Sequence, residues 1–275
     1  MEFAAESGEL DYADQDEDLI PEPRSMDRDD WIVLGSGLVI TMVVMMFPLL
    51  NHIFMTLVIL VHEMGHTLTG WVFAYPSVPA FDLHYGGGIT LHTQRSVVLL
   101  ILIYSGLAFM IFTYRRNAST LVLLTVVSIV HLLLSLTYFH EVVILFMGHG
   151  TELIIAAIFF YRALSGAAVV HSVERPLYCA IALFIVFSDI RFAFKLMTSH
   201  SARLEYEQAK GGGHWMDFSR IAEDFLGVDL TSVALFFFLC CFFPLVLGFL
   251  TFRYQDHIRH GIHRLWTRDP LNVTR

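Results

Sequence analysis

His62-Glu63-Met64-Gly65-His66 is an H-E-x-x-H sequence, and its residue types and spacing suit zinc-assisted hydrolysis. Residues four apart share a helix face, so both imidazoles can reach one metal ion while Glu63 stays beside it. Glu63 is the candidate catalytic base: it takes a proton from the attacking water and later gives it to the leaving amine. The flanks, Ile53 to Val61 and Thr67 to Ala74, are apolar enough for a helix that spans a bilayer. A charged group at mid-bilayer costs about 2.5 to 3.5 kcal/mol, so two histidines and a glutamate there mark function. The ordinary alternative is that they only hydrogen-bond neighbouring helices.

Catalytic zinc takes three protein ligands, so a third donor must come from elsewhere in the chain. The leading region is Met147-Gly148-His149-Gly150-Thr151-Glu152, where glycines interrupt an apolar run and let the backbone approach closely. His149 ranks first, with Glu152, three residues on and on the same helical side, and Asp189 in a later apolar segment as alternatives. His131, His140 and Glu141 lie in or beside another apolar segment; the ordinary explanation for His140 and Glu141 is the water boundary, and for Asp189 it is pairing with an Arg or Lys in the bundle.

These residues need a scaffold of buried helices, and the composition supplies one. Hydrophobic residues make up 56% of the 275, charged residues only 16%, and mean hydropathy is +0.61, which together define a polytopic membrane protein. The expected fold is an all-α transmembrane bundle of about seven helices. Their approximate bounds are Trp31 to Phe47, Leu50 to Tyr75, Ser96 to Tyr114, Thr120 to Phe139, Val142 to Val170, Pro176 to Met197 and Thr231 to Phe252. Pro48 should separate the first two. Residues 1–30 read as a disordered acidic tail, 31–252 as the membrane domain and 253–275 as a basic tail. In that last tail His257, His260 and His263 share the polar side of an amphipathic segment that would touch anionic lipid.

Two connections are longer than turns. Pro76 to Arg95 combines Gly86, Gly87 and Gly88 with alternating residues and suits a hairpin, whose glycines are candidate substrate-binding positions. Ser199 to Leu230 contains Gly211-Gly212-Gly213 and then a short amphipathic stretch, Met216 to Leu226, expected to lie at the membrane interface. Cys179, Cys240 and Cys241 all sit in apolar runs, so neither a disulfide framework nor a cysteine metal site is indicated.

The motif on an apolar helix, a glycine-containing hairpin after it and a second polar motif on a later helix resemble the site-2 protease family of intramembrane zinc metallopeptidases. The resemblance rests on His62-Glu63-Met64-Gly65-His66 and, more loosely, on Pro79 to Thr93. It implies zinc as the cofactor, a membrane-protein substrate cut in or near its transmembrane segment, and residence in the lipid bilayer, with the cell membrane as the expected location. No nucleic-acid partner is expected. The family's third ligand is an aspartate in Leu-Asp-Gly; this chain has no Leu-Asp-Gly, and Gly148-His149-Gly150 stands nearest to it. No inserted peptide-binding domain is present. Arginines at 115, 116, 162 and 175 and the basic tail favour a cytoplasmic C-terminus. A membrane di-iron hydroxylase would need adjacent histidine pairs, which the sequence lacks. A non-proteolytic metal-binding or transport protein, or an inactive relative of the proteases, is the alternative.

Overall fold

The first helix, α1 (Arg28–Met46), starts where Asp27 and Asp30 exchange side-chain-to-backbone hydrogen bonds in a capping box. In this computed structural model, residues 22–82, 87–209 and 216–267 are described. Residues 1–21, most of the expected acidic tail, lie outside them, as do Gly86, the Gly211 to Gly213 run and residues 268–275. The remainder of that tail is ordered. Asp30 is fully buried and pairs with Arg175, whose guanidinium also donates to the carbonyls of Ala163 and Leu164.

Pro48 opens α2 (Pro48–Val72), at the position where a missing N–H costs nothing. The expected hairpin follows as β1 (Ser77–Phe81) and β2 (Gly88–His92), antiparallel, with Ser77 opposite His92 and Phe81 opposite Gly88. Then come α3 (Val97–Thr113), α4 (Ala118–Leu136), α5 (Phe139–Ser165) and α6 (Glu174–Thr198). A short α7 (His200–Gln208) leads to α8 (Asp217–Arg220), which runs on as a π-helical turn, Ile221–Leu226. α9 (Leu230–Cys240) and α10 (Phe243–Arg253) join into one apolar length, and α11 (Gln255–Thr267) follows as an amphipathic helix.

The protein is an all-α bundle with a short hairpin, and among the described residues six helical segments are long and apolar enough to cross a membrane. The third expected span, α3, has 17 residues, short of the other six. α5 and α6 form the centre. Ala156 and Ala163 on α5 and Ala182 on α6 are fully buried, small residues that let neighbouring backbones approach. By contrast, α3 and α4 present apolar side chains outward along most of their length, as lipid-facing helices do.

Gly65 sets the distance between the motif helix and the centre. A Cβ on Gly65 would fall 2.1 Å from the Met147 carbonyl oxygen, so α2 and α5 touch backbone to backbone beside the histidines. One side of the stretch Met216 to Leu226, expected at the membrane interface, packs against the bundle, while Glu223, Asp224 and Leu226 are exposed. Phe218, Ile221 and Ala222 are buried and join a cluster with Leu145, Leu153 and Phe237. Their apolar side found protein rather than lipid, and this carries Asp217 inward.

Candidate metal centre

Both motif histidines project from α2 towards the start of α8. His62 Nε2 lies 3.0 Å from Asp217 Oδ2, His66 Nε2 lies 3.1 Å from the same oxygen, and the two Nε2 atoms are 3.0 Å apart. Their other ring nitrogens decide what these contacts can be. His66 Nδ1 is 2.8 Å from the Ile144 carbonyl, which only accepts, so Nδ1 carries the proton. His62 Nδ1 is 2.7 Å from Glu152 Oε1 and donates likewise to that carboxylate. In the neutral rings both Nε2 atoms are therefore bare lone pairs.

Three lone-pair atoms within about 3 Å of one another repel unless a cation lies among them. Two nitrogens on tetrahedral zinc, each about 2.0 to 2.1 Å away, would stand about 3.3 Å apart, close to the spacing seen. The polypeptide also leaves room. A Cβ built on Gly148 of α5 would fall 2.5 Å from both Nε2 atoms, so the glycine faces the space that the ligands surround. The donor set of two imidazoles and one carboxylate, each histidine anchored through its far nitrogen, fits a metal ion. Replacing Gly148 by alanine is expected to lower zinc affinity at least 10-fold with little change in the helical circular-dichroism signal, as read by chelator competition on the purified protein.

Asp217 is the residue that the sequence reading passed over. It was masked by its place in a short amphipathic stretch taken for a surface helix. One signal was present: a carboxylate bracketed by Trp215-Met216 and Phe218 sits awkwardly at an interface.

His149, ranked first as third ligand, packs edge-on against His62 with ring centroids 4.5 Å apart and forms with His62 and Glu152 a second group that could hold a metal ion, one that does not include His66. Its ring is boxed by Phe237, Phe218 and Phe192, with centroids 4.7, 4.8 and 5.1 Å away, and its Nδ1 points to Glu152 Oε2 at 3.2 Å. Glu152 thus spans the two imidazoles, His62 and His149, through its two oxygens. Asp189 lies behind them, with Oδ1 3.7 Å from His149 Nδ1. The three ranked candidates therefore form a connected polar chain behind His62, whereas the group that meets both motif histidines is Asp217. His131 and His140 are occupied elsewhere: His131 Nε2 bonds the Val72 carbonyl, and His140 Nε2 faces the Tyr75 hydroxyl at 2.9 Å.

Glu63 is 7% exposed, and its Oε2 accepts from Thr90 Oγ1 at 2.6 Å. Thr90 belongs to β2, so the hairpin reaches back over the motif. Gly88 is packed against the same carboxylate, since a Cβ there would fall 2.3 Å from Glu63 Oε1. Gly87 has φ of +96°, a backbone conformation that glycine adopts without strain. A cavity of about 800 Å³ opens over these groups and is bordered by α2, β2, α6, Tyr206 and Arg220. No family model, curated protein or solved structure matches the chain.

Proposed function

We propose that the chain is an intramembrane zinc metalloprotease that hydrolyses peptide bonds in or near transmembrane segments of other membrane proteins, within a cell membrane. The observation that carries this reading is the meeting of His62 Nε2, His66 Nε2 and Asp217 Oδ2 beside Glu63, in a bundle of membrane-length helices. Zinc held by those three residues would supply Lewis acidity towards a water molecule and a peptide carbonyl. Glu63 takes the water's proton as its oxygen bonds to the carbonyl carbon. The same carboxyl then gives that proton to the amide nitrogen as the C–N bond breaks. Thr90 holds the carboxylate in place through both steps.

A transmembrane helix hides its carbonyls in its own hydrogen bonds, so the substrate must unwind before it is cut. β1 takes one edge of β2, and β2 also borders the cavity, which suits capture of the unwound segment as an added strand. Glu152 and the Ile144 carbonyl keep the two imidazoles in their ligating tautomers. Asp217 would complete the set as a carboxylate.

Stripping the metal tests the reading directly. The detergent-purified protein is expected to carry one zinc per chain and to cut a single-span membrane protein. Treatment with a strong chelator is expected to reduce cleavage to background, and added zinc, but not magnesium, to restore it. Bound zinc without any cleavage would favour the metal-binding or transport alternative, and cleavage that survives complete zinc removal would overturn the proposal.

A further inference from the structure

As water adds to a peptide carbonyl, the electron pair of the C=O bond moves onto oxygen, and a fixed hydrogen-bond donor at that oxygen lowers the barrier. Glu63 is an acceptor at that stage, and Thr90 spends its proton on Glu63. His92 is engaged as well. Ser77 Oγ gives its proton to the Tyr75 carbonyl, so it accepts from His92 Nδ1, and neutral His92 turns only a bare nitrogen outward.

Tyr206 on α7 is differently placed. Its Oη accepts the backbone N–H of Phe218 at 3.2 Å, directly after the ligand Asp217. Its ring lies 5.6 Å from that of Phe192, and the residue borders the cavity that holds Glu63 and both motif histidines. A phenol that accepts a backbone N–H keeps its own proton to give, and no acceptor for that proton is found among the described residues. A phenol ordinarily titrates at about 10, so at neutral pH it is protonated and able to donate.

We propose that Tyr206 is a second catalytic residue, a hydroxyl that hydrogen-bonds the carbonyl oxygen of the scissile peptide as negative charge grows there. This rests on the protease reading. The phenol keeps its proton throughout: the water oxygen bonds to carbon, Glu63 takes the water's proton, and collapse of the adduct expels the amine with the proton from Glu63. The hydroxyl stabilises the charged oxygen between those events, so its contribution falls on the rate of the step rather than on substrate capture.

The test compares full-length wild type, Tyr206→Phe and Glu63→Gln in one assay. The readouts are zinc per chain, kcat and KM on a single-span substrate, and binding of a peptide phosphonate that mimics the charged adduct. Tyr206→Phe is expected to keep wild-type zinc and a KM within about threefold, with kcat down about 100-fold and phosphonate binding weakened by a similar factor. A kcat within about threefold of wild type would overturn the proposal. So would a loss of rate that tracks a loss of zinc, because Tyr206 would then only seat Asp217. If wild type cleaves no faster than Glu63→Gln, the protease reading falls and this inference with it; if wild type cleaves faster and Tyr206→Phe equals it, only Tyr206 is excluded.

Discussion

Replacing Asp217 by alanine is expected to lower zinc affinity by more than about 100-fold while the protein still folds. The benchmark is the loss of an outer partner of a ligand, which costs about 10- to 100-fold in metal affinity; a ligand itself should cost more. Folding should survive because, among the described residues, the carboxylate's hydrogen bonds go to His62 and His66, whereas Phe218, Ile221 and Ala222 anchor the same segment by apolar burial. Glu152→Gln provides the internal scale. It removes the charge that fixes His62, and about 10- to 100-fold weaker zinc binding is expected. His149→Ala should weaken binding less than Asp217→Ala, since its ring packs against His62 and bonds Glu152 but has no contact with His66 or Asp217 among the described hydrogen bonds. Chelator competition on the purified variants gives all three values. Equal losses in His149→Ala and Asp217→Ala would refute this order of ligands.

That ranking shows where the sequence was readable and where it was not. Apolar length and the break at Pro48 locate the membrane helices, because burial in lipid constrains composition along the chain. His62, Glu63 and His66 were legible for a similar reason: their relation is local, fixed by one helix. The third donor depends on how α8 docks against α2 and α5, and no local spacing encodes that. Gly148 and His149 illustrate the difficulty. A Gly-His-Gly sequence draws attention to the histidine, yet a side chain at 148 would enter the ligand space while His149 turns aside into three aromatic rings. The π-helical turn after Arg220 was equally hidden, although Gly227, with φ of +62°, ends it at a visible breaker. Arg28 and Asp30 looked like tail residues by charge alone; capping by Asp27 and the pairing with Arg175 make them the start of a helix.

Glu63→Gln is expected to keep zinc and lose turnover, and this pairing of outcomes separates hydrolysis from simple metal binding. The amide is nearly isosteric with the carboxylate, and its carbonyl oxygen can still accept from Thr90 Oγ1, so it fits the space beside Gly88. His62, His66 and Asp217 are untouched, and one zinc per chain should remain. What disappears is the ability to take a proton from water and return it to the amine. General-base catalysis contributes about 10²- to 10⁴-fold, and Glu63 would act in both halves of the proposed reaction, so a fall of at least about 1,000-fold in kcat is expected with KM little changed. Single-turnover cleavage of a single-span substrate by equal amounts of zinc-loaded wild type and variant provides the measurement. Glutamine at position 63 cannot mimic a proton shuttle. A variant that cleaves at the wild-type rate would mean that Glu63 is only a packed partner of the hairpin and that another group takes the proton from water.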